Sequence, residues 1–246
     1  MAAGASEAST RVASPFRWAG GKRWLIPTIR ELLGDTVTGA YHEPFLGAAS
    51  VFFGLSQFSK AFLSDTNAEL IATFRAIRDH PDEVAEQASE YANDKDTYYA
   101  VRASAPKDKV GRAARFLYLN HTSFNGIYRV NLAGVYNVPF GHGRTARIPT
   151  ADHLREVSAR LRNATLQVDD FEGCLAKVKA GHLVFLDPPY TVAHNQNGFV
   201  KYNQRLFSFE DQRRLSKVVD QIKKRRAYYV LANAAHQSIG GLRGCS

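Results

Sequence analysis

The stretch LVFLDPPY, Leu183 to Tyr190, ends an apolar run in a carboxylate and follows it with two prolines and an aromatic ring. Each proline fixes φ and removes a backbone donor. The Asp187 carboxylate, with the carbonyls of Asp187 and Pro188, is therefore an acceptor-only surface, held stiff by Pro188 and Pro189. Such a surface suits an amino group. The ring of Tyr190 suits a planar base, a stack worth roughly 1–3 kcal/mol. A rigid strand-to-loop turn with a packed tyrosine uses the same residue types.

Three more acids close short runs with strand character: Glu43 after AYH, Asp65 after KAFLS, and Asp169 or Asp170 after TLQV. Between the first two lies EPFLGAAS, where Gly47 lets the backbone approach a ligand. Asp65 follows that loop at about the 20-residue distance at which an acid holds ribose hydroxyls in dinucleotide folds. Several carboxylates meeting at one sheet edge point to a polar ligand with hydroxyls and amines.

The elements that must position them alternate. The spacing predicts helices over WLIPTIRELL from Trp24, over NAELIATFRAIRDH with Asn67 as N-cap, and from Pro81 through PDEVAEQASEYAND. Further helices are predicted over KVGRAARFLYLN, DHLREVSARLRN and SFEDQRRLSKVVDQIKKRR. Ser208 caps the last of these, with Asp211 where a capping box prefers Glu or Gln. Its Lys223 to Arg226 run suits the helix dipole. AYYVLAN is a further buried strand. Strands alternating with helices predict an α/β parallel sheet, with ligands beyond the carboxyl ends of its strands. Between the halves, HTSFNGIYRVNLAGVYNVPFGHGRTARIP carries Asn-Gly and Ala-Gly turns among aromatic and β-branched residues, a hairpin signature.

Of 246 residues, 45% are hydrophobic and 22% charged, as in an ordinary globular chain. Lys plus Arg is 32 against 23 Asp plus Glu, a net charge of +9 that favours a polyanionic partner, nucleic acid first. The two cysteines, Cys174 and Cys245, have no metal-type spacing, so no disulfide framework and no metal site are expected. No apolar run is long enough to span a membrane. The first 14 residues are small and polar, unlike a secretory signal, and are expected to be a disordered tail.

Taken in order, FRWAGGKRWLIPTI, EPFLGAASVFF, LSDTNAELI, LNHTSFNGIYRVNLAGVYNVPFG and FLDPPY resemble the motifs of the Dam-type DNA adenine (N6) methyltransferase family, alpha arrangement. The resemblance runs from Pro15 to about Asn233. It implies a Rossmann-like methyltransferase sheet, formed by 15–66 and 151–246, with a mostly helical target-recognition insert and β-hairpin at 67–150. It implies an enzyme that moves a methyl group from S-adenosylmethionine to N6 of an adenine flipped out of duplex DNA, in a GATC-like site, without a metal. Asp187, Pro188, Pro189 and Tyr190 are the implied catalytic residues. Trp18, Lys22, Glu43, Phe45, Gly47, Asp65, Asp170 and Asp187 are the implied cofactor residues, with Lys22 paired to the cofactor carboxylate and Asp170 beside its adenine. Phe124, Asn125, Ile127, Arg129, Asn137 and Pro139 are the implied DNA readers. Arginine suits the major-groove edge of guanine and asparagine that of adenine. A cytoplasmic monomer is expected, with a cognate restriction endonuclease as a further partner.

The chain departs from the family at Ala49, where a glycine is usual, and after YYVLAN, where a closing β-hairpin usually follows. The second departure makes a truncated, catalytically impaired DNA-binding homologue an alternative. Cytosine-N4 methylation is another, although that chemistry usually carries Ser in place of Asp187. A nicotinamide oxidoreductase fits poorly, since FLGAAS is a poor dinucleotide fingerprint.

Overall fold

A computed structural model of the chain describes residues 12–34, 37–55, 57–141, 147–189 and 207–232. Strands β1 (Tyr41–Glu43), β2 (Ala61–Asp65), β3 (Ala164–Val168), β4 (Leu183–Leu186) and β5 (Tyr228–Leu231) form one parallel sheet in the order β3-β2-β1-β4-β5. Parallel strands covered on both faces become continuous apolar runs, and all four side chains of β4 are buried. The order reverses at β1. The chain steps outward to β2 and β3, then returns across the sheet to lay β4 on the other side of β1. The crevice beyond the carboxyl ends of β1 and β4 is where such a sheet takes its ligand. The expected Rossmann-like α/β class is the fold observed.

A 3-10 turn, Arg23–Leu25, precedes helix α1 (Ile26–Leu33), so the helix starts two residues later than Trp24, whose ring is 55% exposed. Helix α2 (Ser50–Gly54) follows the glycine loop. Helix α3 (Ala68–Asp79) begins at the Asn67 cap, whose Oδ1 accepts from the Leu70 amide at 3.1 Å. The helix predicted from Pro81 to Asp94 ends at Ser89, and a further helix that the sequence pattern does not announce begins just beyond the predicted stretch. Helix α4 (Pro81–Ser89) stops early, and α5 (Lys95–Ala103) starts anew because the Asp94 carboxylate accepts from the Thr97 amide at 2.8 Å. Helices α6 (Lys109–Thr122) and α7 (Ala151–Leu161) follow, capped by Asp108 and Thr150. Helix α8 (Phe209–Lys224) carries a complete capping box: Asp211 is long enough for the amide of Ser208 to reach it at 2.9 Å.

Helix α3 packs on β2 and β3 and also on α4, α6 and α7. One core therefore runs from Tyr41, Phe53 and Leu63 through Phe74 to Phe116 and Leu117, joining the sheet to the expected 67–150 insert. A second core lies under α8, with Phe171, Val184, Leu186, Leu215 and Ile222. A third, with Tyr98, Tyr118, Tyr136 and Val138, forms the foot of the hairpin region.

The hairpin reverses direction without regular strands. Its arms meet through two isolated antiparallel bridges, Ser123 with Phe140 and Val130 with Tyr136. The amides of Asn131 and Asn137 bond the carbonyls of Val135 and Arg129 at 2.9 and 3.1 Å. Of the expected tail, Val12 packs against the core, and Ser14 Oγ donates to the Ala48 carbonyl at 2.5 Å. Tyr190, the residues after it to 206, and 233–246 lie outside the described residues.

Candidate active site

Strand direction brings the acids together. Glu43 ends β1, Asp65 ends β2, and Asp187 follows β4, the neighbour of β1. In the β1–β4 register His42 faces Val184, which puts Glu43 and Asp187 at the same carboxyl edge, on either side of the switch in strand order.

Asp187 is anchored from a distance of 165 residues in sequence. Lys22 Nζ lies 2.9 Å from Asp187 Oδ1 and 3.0 Å from Oδ2, and also donates to the Gly20 carbonyl at 2.7 Å. The lysine is almost fully buried, while the carboxylate keeps 21% exposure. Burial holds the Asp187 carboxyl above its ordinary value, and the Lys22 bond and charge oppose that rise. Pro188 is buried and Pro189 exposed. Lys22, expected on the cofactor carboxylate, is bonded to the strand-end acid in this structure.

Glu43 is buried, and one oxygen accepts from the Tyr41 hydroxyl at 2.9 Å. Burial pushes its carboxyl up to about 8, against the Tyr41 bond and reinforced by the Asp187 charge. Asp65 closes the glycine loop: Oδ2 accepts from the Gly47 amide at 3.0 Å and Oδ1 from the Asn67 amide at 2.9 Å. Its carboxyl is also raised by burial, against those amide bonds.

The loop needs its glycine. Gly47 has φ +46°, and a Cβ there would lie 3.1 Å from Trp18 Nε1, so the indole rests directly on the loop backbone. Ala49 takes the left-handed conformation with φ 55°, one that a glycine holds without strain. Phe45 stacks on Phe171 with centroids 5.2 Å apart, and Phe207 packs on both. Asp170 accepts from the Glu172 amide and from Arg214 Nη2, and the Arg214 guanidinium lies 4.7 Å above the Phe171 ring. Arg214 stands 44 residues from Asp170, and its helical pattern carries no sign of this contact. A cavity of about 220 Å³, bounded by Phe16, Arg23, Ile26 and Gly54, is lined by none of the strand-end acids.

The donor set fits S-adenosylmethionine. Its ammonium would suit the acceptor oxygens at this sheet edge, its ribose hydroxyls would suit Asp65, and its adenine would suit the wall of Phe45 and Phe171. Gly47 supplies the close backbone approach.

The six expected DNA readers all lie on the loop between α6 and α7. Phe124 is half exposed, and Asn125 and Pro139 are exposed. Asn125 has φ 54°, a left-handed conformation that asparagine tolerates, just before Gly126. Ile127 is half-buried, and its carbonyl accepts from the Tyr136 hydroxyl at 3.0 Å. Arg129 Nε donates to Asn137 Oδ1 at 2.7 Å and Nη2 to the Asn137 carbonyl at 3.1 Å, so these two residues brace one another. Tyr128 and Tyr136, which alternate with the readers in sequence, turn inward onto α6.

Asn120 is a residue the sequence pattern does not single out. It is buried, its Oδ1 accepts from the Arg17 amide at 2.8 Å, and its Nδ2 donates to the Arg17 carbonyl at 2.8 Å. It thus ties the segment carrying Trp18 to the end of α6, where the reader loop begins.

Residues 18–240 match the family model of the D12 class N6 adenine-specific DNA methyltransferase. The chain is 33% identical over 232 residues to the Type II methyltransferase M1.LlaDCHI of Lactococcus lactis subsp. cremoris, covering 90% of this chain and 81% of that one. It is 34% identical over 242 residues to the Type II methyltransferase M.MjaIII of Methanocaldococcus jannaschii, covering 89% and 84%. It is 32% identical over 226 residues to the DNA adenine methylase of Escherichia coli, covering 89% and 79%.

Proposed function

The chain belongs to the D12 class of N6 adenine-specific DNA methyltransferases, and from that premise we propose that it uses S-adenosylmethionine to methylate a flipped adenine in a GATC-like site of duplex DNA. The observation that carries the residue roles is Asp187: a partly exposed carboxylate at the sheet's switch point, fixed by Lys22 and followed by a two-proline turn.

Adenine N6 is paired in the duplex, so the base must leave the stack to reach any pocket. Its lone pair is delocalised into the ring. Asp187 and the Pro188 carbonyl accept the two amino hydrogens, which favours a pyramidal nitrogen with an available lone pair. Positive charge grows on that nitrogen as the N–C bond forms, and the fixed carboxylate and carbonyl dipole stabilise it. Lys22 holds the carboxylate in one orientation, so no reorganisation is needed at the moment of reaction. When bound, S-adenosylmethionine would supply a methyl group activated by its sulfonium, the broken S–C bond leaving its electron pair on sulfur as the neutral thioether of S-adenosylhomocysteine. The surplus amino proton leaves the methylated nitrogen afterwards, through Asp187 to solvent. Glu43, Asp65, Gly47 and Trp18 would hold the cofactor, and Asp170 with Phe45 and Phe171 would lie beside its adenine. The chain acts as a monomer, needs no metal, and is compatible with a cognate endonuclease partner.

The test is to map methylated positions in plasmid DNA from cells expressing the chain, then repeat with Asp187→Ala. N6-methyladenine confined to one short sequence is expected, with the variant at least about 10²-fold slower and DNA affinity retained. Methyl groups on cytosine N4, or transfer near the wild-type rate by the variant, would refute the assignment.

A further inference from the structure

Trp18 touches both halves of the site. One edge of its indole rests on Gly47, in the loop that Asp65 closes. Its face stacks on Tyr128, with centroids 6.0 Å apart and planes 16° from parallel. Tyr128 immediately precedes Arg129 in the reader loop. Its hydroxyl donates to Glu69 Oε2 at 2.9 Å, and Glu69 lies on α3, directly behind the turn that holds Asp65 and Asn67. Arg115 Nη1 lies 3.6 Å from the other Glu69 oxygen. Phe116 and Tyr136 pack around the Tyr128 ring, with centroids 5.3 and 5.8 Å away.

These contacts leave Tyr128 little freedom to move independently of Trp18. The indole in turn has no slack toward Gly47, where even one added carbon would press on it. A closely packed contact transmits a small displacement instead of absorbing it. A ligand that orders the Gly47 loop therefore fixes the indole, the indole fixes the Tyr128 ring, and the ring fixes the backbone that carries Arg129.

We propose that Tyr128, through its stack on Trp18, is a positioning residue that couples the cofactor site to the DNA-reading loop, so that each ligand binds more tightly when the other is present. The coupling is reciprocal by thermodynamic necessity. It deepens the function proposed above and rests on it.

The experiment measures the dissociation constant of a fluorescent GATC-containing duplex with and without saturating S-adenosylhomocysteine, which cannot donate a methyl group. The wild-type ratio is expected to be about tenfold, within the usual range of such couplings. Tyr128→Phe keeps the stacked ring and should stay within about twofold of that ratio. Tyr128→Leu removes the ring and should bring the ratio close to one, with each ligand alone still bound within about threefold of wild type. A merely structural role for Tyr128 would weaken both single affinities and leave the ratio unchanged, and that result overturns the proposal. A wild-type ratio of one also overturns it. A wild-type chain that binds neither ligand alone refutes the functional reading itself and the coupling with it. Should Tyr128→Leu not fold, the chain's two tryptophans offer a second reading. In a Trp24→Phe background, Trp18 emission should change on adding duplex alone and on adding S-adenosylhomocysteine alone; a response to only one of them overturns the proposal.

Discussion

At the scale of single residues, a part-buried carboxyl, Asp187, and a buried one, Glu43, have opposite tasks. If Asp187 accepts the amino hydrogens it must be ionised, yet burial raises its pKa. Lys22 is the counterweight. Lys22→Met removes the ammonium and keeps the burial, so the Asp187 pKa should climb further. The acid limb of a kcat–pH profile should then move to higher pH, and an unmoved limb would show that Asp187 does not govern the rate. Glu43 is held neutral up to about 8 in the folded chain, against 4.5 as the ordinary value. A group whose folded pKa is raised contributes stability below its unfolded pKa and loses it as pH rises through the folded one. By pH 7 the difference is roughly 3 kcal/mol. Glu43→Gln has no proton to lose, so its urea-unfolding free energy should fall less than wild type between pH 5 and 8. Parallel curves would show that Glu43 is ionised in the free enzyme.

At the scale of elements, the site depends on how the segment before α1 is tied to α6. Asn120 makes that tie by pairing with both backbone groups of Arg17. Asn120→Leu keeps the volume and leaves a part-buried N–H and C=O unsatisfied, at a cost of about 2–4 kcal/mol. A drop in the unfolding free energy of that size is expected, with DNA affinity reduced and total helix content retained. A shift below about 0.5 kcal/mol would mean that water replaces the side chain.

At the scale of the molecule, the +9 charge sets a salt-dependent, sequence-independent attraction to DNA. In the proposed function, selectivity belongs to the loop between α6 and α7. The bracing by Asn137 engages Nε and Nη2 of Arg129, which orients the guanidinium while Nη1 takes no part in those two bonds. If Arg129 reads guanine, Arg129→Ala should cost about 1–3 kcal/mol on the cognate duplex and relax discrimination at one base pair. Duplexes with single substitutions, titrated at two salt concentrations, separate this from a phosphate clamp. A uniform loss with a salt slope lower by about one would identify the clamp.

What the sequence determined is local chemistry. Two prolines after Asp187 make an acceptor surface in any fold. Gly47 marks a close backbone approach, the acids at strand ends mark one sheet edge, and Asn67 and Ser208 announce helix starts because their caps need only the next three residues. Tertiary structure decided the partners. Lys22 meets Asp187 across 165 residues, Asn120 meets Arg17 across 103, and Arg214 meets Asp170 across 44. No periodicity encodes such pairs, since they depend on how β4 returns beside β1 and how α6 and α8 pack. The hairpin shows the same division. Its turns are legible in Asn-Gly and Ala-Gly, but its tyrosines face α6 because the aromatic cluster of Tyr98, Tyr118 and Tyr136 buries them there. That packing, not strand propensity, sets which side chains remain outside.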